Sequence, residues 1–246
     1  VMRLIDRLFP KRGGAQLWLL LDPDSMSPVK LRQTAAEASH IGVNAILIGG
    51  SLITHDRFDA SVRAVKRATK LPVVLFPGGS SQISRHADGI LFMSLLSGRN
   101  PQYLVGEQVK AAPIIKRLGL EAISTAYLLI ESGRMTSIEY ISDTKPIPRD
   151  KPLLAVAHAQ AAELFGMQMV YLEAGSGAEQ PVPPEIIRAV VQSVALPVIV
   201  GGGINTPKSA FAAMKAGARA IVVGTAVERE GLDVIRSISR TIRRKR

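Results

Sequence analysis

Cysteine is absent from all 246 residues. That excludes a disulfide framework, a thiolate nucleophile, Cys-ligated zinc and an iron–sulfur cluster, and it fits a cytoplasmic protein. No run of 18 apolar residues occurs, so no segment reads as bilayer-spanning. The N-terminal stretch VMRLIDRLFPKR is charged throughout and lacks the apolar core of a signal peptide. Aromatic residues make up only 4% of the chain, too few for a base-stacking surface. No helix-turn-helix, zinc-finger or RNA-recognition signature appears, so no nucleic-acid partner is expected. His40, His55, His86 and His158 share no metal-ligand spacing. There is no Gly-x-Ser-x-Gly elbow and no Walker loop, which sets aside hydrolytic triads and nucleoside triphosphatases. No lysine falls within an expected strand, which disfavours a Schiff base.

The net charge of +11 is concentrated at the two ends. Residues 1–12 carry Arg3, Arg7, Lys11 and Arg12 against Asp6, and residues 230–246 carry Arg236, Arg240, Arg243, Arg244, Lys245 and Arg246 against Glu230 and Asp233. Both ends have apolar residues at helical spacing: Leu4, Ile5 and Leu8, then Leu232, Ile235, Ile238 and Ile242. The plain reading is two terminal helices docked on the body of the protein with solvated basic faces. The sharper reading is peripheral attraction to anionic lipid head groups.

Between these ends, eight short apolar runs alternate with helical patterns. The runs are Leu17–Leu21, Asn44–Ile48, Pro72–Phe76, Gly89–Met93, Glu121–Ile130, Gln168–Leu172, Pro197–Val200 and Ala220–Val223. Most lack polar alternation, as strands buried on both faces of a parallel sheet do. Helical segments are expected at about 28–41, 54–69, 101–118, 152–165, 183–195 and 206–216. Ser27-Pro28 and Thr206-Pro207 read as capped starts, and Gly42, Gly119, Gly166 and Gly217 as stops. Eight such units in this length predict an α/β fold, a (β/α)8 barrel over a single domain, 1–246. One unit is irregular. Only PGGSSQISRHAD separates strand 3 from strand 4, so the barrel helix there is expected to be shortened or replaced.

In such a barrel the site gathers at the C-terminal strand ends. Strand 1 ends in Asp22-Pro23-Asp24, whose carboxylates suit a hard cation such as Mg2+ or, for one of them, a helix cap. Strand 2 ends in Gly49-Gly50-Ser51, where small residues admit a ligand to the backbone and a hydroxyl stands ready. Strand 6 runs into Tyr171-Leu172-Glu173-Ala174-Gly175-Ser176-Gly177. Alternation points Tyr171 and Glu173 to one side, and a carboxylate before a small-residue loop suits a general base beside an anion cradle. Strands 7 and 8 end in Gly201-Gly202-Gly203 and Gly224-Thr225, the usual place for a phosphate in barrels of this kind. These loops are shared by many phosphate-binding barrel enzymes, so an isomerase or lyase acting on a sugar phosphate is an alternative.

The set LLDPD at 20–24, IGGS at 48–51, YLEAGSGA at 171–178, VGGGI at 200–204 and VGT at 223–225 resembles the geranylgeranylglyceryl phosphate synthase family, archaeal type. The stretch 97–133 and KPIPRDKP at 145–152 resemble it too. The resemblance implies a Mg2+-dependent prenyltransferase joining the C3 hydroxyl of sn-glycerol 1-phosphate to geranylgeranyl diphosphate, or to a heptaprenyl donor in some members, with release of pyrophosphate. It assigns Asp22 and Ser51 to Mg2+. It assigns Tyr171, Leu172, Glu173, Ala174, Gly175, Ser176, Gly177, Gly202, Gly203, Gly224 and Thr225 to glycerol 1-phosphate. Glu173 and Tyr171 are the expected catalytic pair. The resemblance also implies a cytoplasmic homo-oligomer, dimer or hexamer, and a helix missing from the barrel to make room for the lipid chain. One departure stands out: some members carry Lys two residues before the first Asp, where this chain has Leu20.

Overall fold

A computed structural model describes residues 2–10 and 13–244. Lys11, Arg12, Lys245 and Arg246, counted above in the terminal charge, lie outside the described residues, as does the side chain of Arg244. The chain begins with α1 (Leu4–Leu8), β1 (Gln16–Leu21), α2 (Pro28–Ile41), β2 (Ala45–Ile48), α3 (Phe58–Ala68), β3 (Val73–Leu75) and β4 (Gly89–Leu95). A π-helical turn (Gln102–Gly106) leads into α4 (Glu107–Leu118), followed by β5 (Glu121–Leu129), α5 (Ser137–Ser142), α6 (Pro152–Leu164) and β6 (Met169–Glu173). Then come α7 (Pro184–Ser193), β7 (Val198–Gly201), α8 (Pro207–Lys215), β8 (Ala220–Val223), α9 (Thr225–Glu230) and α10 (Leu232–Arg244). All eight strands are parallel and in sequence order, and β8 pairs back to β1, which closes the barrel.

The expected fold is therefore present, and each of the eight apolar runs holds one strand. Residue alternation sorts the core into two parts. Trp18, Leu47, Val74, Leu91, Ile123, Tyr127, Tyr171, Ile199 and Val222 fill the barrel interior. Their sequence neighbours, such as Leu19, Ile46, Leu75, Leu128, Leu172 and Ile221, pack outward against the helices. Because β1 places Trp18 inward and Leu20 packs on the same interior, the next residue of that parity, Asp22, turns to the barrel mouth.

No helix stands between β3 and β4; residues 76–88 form turns only. Both glycine-rich composition and length forbid one, as expected from the sequence. The gap leaves an open apolar cleft, lined among others by Phe76, Ile90, Phe92, Met93 and Tyr103.

The basic ends are anchored by their apolar stripes. Leu4 and Leu8 belong to the barrel interior and plug its N-terminal end. Glu121 at the start of β5 accepts hydrogen bonds from the Leu4 and Ile5 amides at 2.7 and 3.3 Å, satisfying the first N–H groups of α1. Gly89 opens β4 because a Cβ there would sit 2.5 Å from the Leu4 side chain. On α10, Val234, Ile235, Ile238 and Ile242 are buried in the outer core, and the Ser239 hydroxyl donates to Ile41 O at 2.7 Å. Neither stripe is free to enter a lipid layer.

The plug yields a stability prediction. Leu8→Ala should lower the unfolding free energy by about 3 kcal/mol through a cavity under the barrel. Turnover of the folded fraction should stay near normal, since the site lies at the opposite end. Denaturant melts alongside initial rates check both.

Candidate active site

A cavity of about 310 Å³ occupies the C-terminal mouth of the barrel. Asp22, Gly49, Gly50, Ser51, Tyr171, Glu173, Ser176, Gly177, Gly202, Gly203, Gly224 and Thr225 all line it. Five strand ends far apart in sequence therefore converge as expected. Leu172 and Ala174 do not face it; their side chains are buried in the outer core. Gly175 acts through its backbone, donating its N–H to Glu173 Oε1 at 2.6 Å.

Glu173 is buried in the mouth. Only 5% of it is exposed. Burial drives its pKa up to about 7, against the opposing pull of the Gly175 N–H, which favours the charged form. The Tyr171 phenol is buried beside it. It forms no hydrogen bond of acceptable geometry, so a buried hydroxyl is left without a partner. Burial and the neighbouring carboxylate hold the Tyr171 pKa far above its usual value, so this phenol is a neutral donor. Tyr171 stacks on Tyr127 at 5.4 Å between ring centroids and tilts against Phe76 at 5.3 Å. These two aromatic neighbours were not singled out from sequence. Tyr127 shares inward parity with Ile123 and Leu129 on β5, a signal that could have found it.

The glycines of the mouth are needed by the protein itself. A Cβ at Gly202 would lie 2.3 Å from Glu173 Oε1, and one at Gly201 would lie 2.3 Å from the Tyr171 hydroxyl oxygen. Gly202 and Gly203 also have φ of +77° and +67°, the left-handed region that favours glycine. The Ser176 and Thr225 hydroxyls meet at 3.0 Å and join the loops after β6 and β8. Three loops thus form one polar cradle. On the strand-2 side, a Cβ at Gly49 would clash with Phe76 O at 1.9 Å, and one at Gly50 would stand 2.7 Å from Asp22 Oδ2. The sequence reading had these glycines admitting a ligand. In the structure they first admit Phe76 and Asp22.

The two strand-1 carboxylates have different duties. Asp22 is half-buried, and burial followed by the nearby Asp24 charge raises its pKa; Oδ1 accepts the Asp24 N–H at 2.8 Å. Asp24 Oδ2 accepts both the N–H and the hydroxyl of Thr54, at 2.6 and 2.7 Å. Asp24 is therefore spent on the loop after β2, while Ser27 caps α2. Glu228, missed in the sequence, lines the same cavity, and the Asp22 charge helps burial raise its pKa. No cluster of three His, Asp or Glu side chains suited to a metal exists among the described residues. A half-buried carboxylate whose pKa is raised by burial and by neighbouring acids nonetheless suits a hard cation that shares its shell with substrate oxygens and water.

Leu20 packs beside the cradle: a Cβ on Gly224 would be 3.3 Å from the Leu20 side chain. The cationic groups nearest the cradle are instead Arg134, which donates to Gly177 O, and Arg229, which lines the cavity.

The buried carboxylate gives a signed prediction. Because the folded pKa of Glu173 exceeds its unfolded value, the folded state holds the extra proton between them. Stability should therefore fall as pH rises from about 4.5 to about 7 and then level off. Glu173→Gln should remove this decline, so its Tm should exceed that of the wild type at pH 8 and converge with it near pH 4. Parallel melting curves at the two pH values are the check.

Comparison with known proteins agrees with this geometry. Residues 15–242 match the PcrB family. The chain is 50% identical over 215 residues to a geranylgeranylglyceryl phosphate synthase of Thermococcus kodakarensis, covering 87% of this chain and 84% of that one. It is 46% identical over 219 residues to one from Chitinophaga pinensis, covering 89% and 87%. Among solved structures, the (S)-3-O-geranylgeranylglyceryl phosphate synthase of Thermoplasma acidophilum in complex with its substrate sn-glycerol-1-phosphate superposes with a TM-score of 0.94 at 38% identity, covering 99% of this chain and 100% of that one. The family expected from the strand-end motifs is the one found: the chain belongs to the PcrB family, alongside the geranylgeranylglyceryl phosphate synthases.

Proposed function

We propose that this chain joins sn-glycerol 1-phosphate to geranylgeranyl diphosphate through an ether bond, with Mg2+ as its cofactor. The carrying observation is where Glu173 lies. A buried carboxylate with a pKa of about 7 stands in a cavity that has a glycine cradle on one side. On the other side the cavity shares Gly50, Ser51, Phe76, Tyr127 and Ile138 with the apolar cleft left by the missing helix. An acceptor phosphate fits the first neighbourhood and a prenyl chain the second. Family membership supports the same reading.

The loops around Gly177, Gly202, Gly203 and Gly224 would hold the acceptor's phosphate, and Ser176 and Thr225 would add hydroxyl donors. That fixes the C3 hydroxyl near Glu173, a proximity effect. Tyr171, neutral and unpartnered, would donate to a substrate oxygen. As the hydroxyl oxygen bonds to the allylic carbon, its proton passes to Glu173 and the carbon–diphosphate bond breaks. Bound at Asp22 and Ser51, Mg2+ would neutralise charge developing on the leaving pyrophosphate. The clustered rings of Phe76, Tyr127 and Tyr171, the two tyrosines stacked and Phe76 tilted against both, would offer π density to the positive charge on the allylic carbon. In the cleft, each buried CH2 of the chain contributes about 0.8 kcal/mol.

The same reading makes the protein a cytoplasmic homo-oligomer, a dimer or hexamer. Leu153, Leu164 and Phe165, exposed at 78%, 88% and 70% along α6, support a contact between copies. No helix among the described residues is long and apolar enough to cross a membrane. Anionic lipid would be met through exposed arginines such as Arg240 and Arg243, with the apolar face of α10 held in the core.

Incubation with glycerol 1-phosphate, geranylgeranyl diphosphate and Mg2+ should release pyrophosphate and form the ether; no pyrophosphate would overturn the reading. Processing of a sugar phosphate without any prenyl donor would favour the isomerase or lyase alternative, and a preference for C35 over C20 would identify a heptaprenyl-specific member. The rate at low substrate should rise with pH through an apparent pKa near 7, the Glu173 limb. Asp22→Asn should cut turnover roughly 100-fold, whereas Asp24→Asn should cost less than about fivefold; equal losses would refute the division of labour between them. Leu20→Lys should lower the KM for glycerol 1-phosphate by about fivefold, since one added cation at the cradle contributes about 1 kcal/mol.

A further inference from the structure

The loop that replaces the helix after β3 does more than leave space. The last backbone rung between β2 and β3 is Phe76 N–H to Ile48 O at 2.8 Å. Beyond it Gly49 N–H still pairs with Leu21 O of β1 at 3.1 Å, but on the β3 side Gly50 has no strand to pair with, and Gly50 and Ser51 stand at the junction of the cavity and the cleft. Gln82 takes the strand's place. Its side chain is 3% exposed; Nε2 donates to Gly50 O at 2.8 Å, and Oε1 accepts from Gly50 N–H at 3.2 Å. A primary amide has the donor and acceptor of a peptide group, so it continues the ladder by one residue.

The corner is held from its other sides as well. A Cβ on Gly78 would lie 2.4 Å from Gly50 O and 2.8 Å from Ser51 O, so the loop backbone rests directly on this turn. Asp22 Oδ2 stands 2.7 Å from where a Gly50 Cβ would be. The loop itself is fastened outward. Gln82 N–H donates to Gly79 O at 3.1 Å, and Ser80 N–H donates to Glu107 Oε2 at 2.6 Å. Partial burial opposes ionisation of Glu107, but hydrogen bonds from Ser80, Lys110 and Gln102 outweigh it and draw its pKa down to about 2, so the anchor stays charged.

We infer that Gln82 is a positioning residue: by clamping both polar groups of Gly50, it sets Ser51 and the Gly50 backbone against Asp22 and so fixes where the diphosphate end of the prenyl donor is held. The inference rests on the proposed reading that Asp22 and Ser51 hold Mg2+ and diphosphate. Gln82 touches no part of the glycerol phosphate cradle, so its effect falls on one substrate and not the other.

The test uses Gln82→Met, which keeps the volume and removes both hydrogen bonds, and Gln82→Glu, which keeps the acceptor and removes the donor. Calorimetric titration of the whole protein with inorganic pyrophosphate plus Mg2+, and separately with glycerol 1-phosphate, reads the two halves of the site. Pyrophosphate binding should weaken roughly 10- to 100-fold in Gln82→Met and less in Gln82→Glu, as for supports of metal ligands. Glycerol 1-phosphate binding and its KM should stay within about twofold, while kcat falls. If both ligands weaken alike, or if only Tm falls while both bind normally, Gln82 is merely structural and the inference fails. If Gln82→Met does not fold, Gln82→Glu decides by the same criteria. A wild-type protein that binds no pyrophosphate with Mg2+ would remove the underlying reading and this inference with it. Normal wild-type binding retained in both variants would remove the inference alone.

Discussion

The mouth of this barrel depends on bringing two carboxylates against bare backbone. Glu173 and Asp22 each approach a glycine at a distance that no other residue would permit, Gly202 for the first and Gly50 for the second. Around Glu173 the consequence is a charge site withdrawn from water, which raises its pKa into the range of a base at neutral pH. Around Asp22 it is a half-buried anion facing Glu228 and the Gly50–Ser51 turn. Both approaches need the strands to end in step, which closure of the sheet enforces through the ladder from β1 round to β8.

The missing helix ties the two halves of the chemistry together. Without it, the space beside β3 and β4 becomes an apolar cleft that opens into the polar cavity. A loop in its place would ordinarily leave backbone groups of the neighbouring strand unpaired, at a cost for each buried group. Gln82 and the close-packed Gly78 meet that need within six residues of chain. The vacancy thus creates an apolar space and a polar corner at its rim from one short segment.

Most of this architecture was legible in the sequence. Uninterrupted apolar runs marked all eight strands because both faces of a parallel barrel strand are buried, and the short PGGSSQISRHAD spacer exposed the absent helix. Alternation along a strand put Tyr171 and Glu173 on one side, and Asp22 was placed at the mouth because it ends strand 1 before a proline. What alternation could not reveal is which glycine faces which neighbour. Nor could it show that Asp24 is committed to Thr54, or that Leu172 and Ala174 turn away from the cavity. Gln82, Glu228 and Arg229 lie in loops or on a short helix outside any period, where only the closed fold brings them to the site. The terminal stripes read correctly as helix faces, but their partners, the barrel floor for α1 and the outer core for α10, are set by long-range contacts.

The pairing of carboxylate and glycine also bears on how such a sequence can drift. Gly202 is fixed by its backbone as well as by Glu173, since a Cβ there would also lie 2.6 Å from Gly175 N and its φ is +77°, whereas Gly50 meets only the Asp22 carboxylate. Gly50 and Asp22 therefore change as a couple, while Gly202 is held whatever stands at position 173. A descendant that no longer bound any phosphate would still keep Gly202 and Gly203 for as long as it kept this backbone. In this fold, a glycine pair at a strand end is a record of the protein's own neighbours first and of a ligand second.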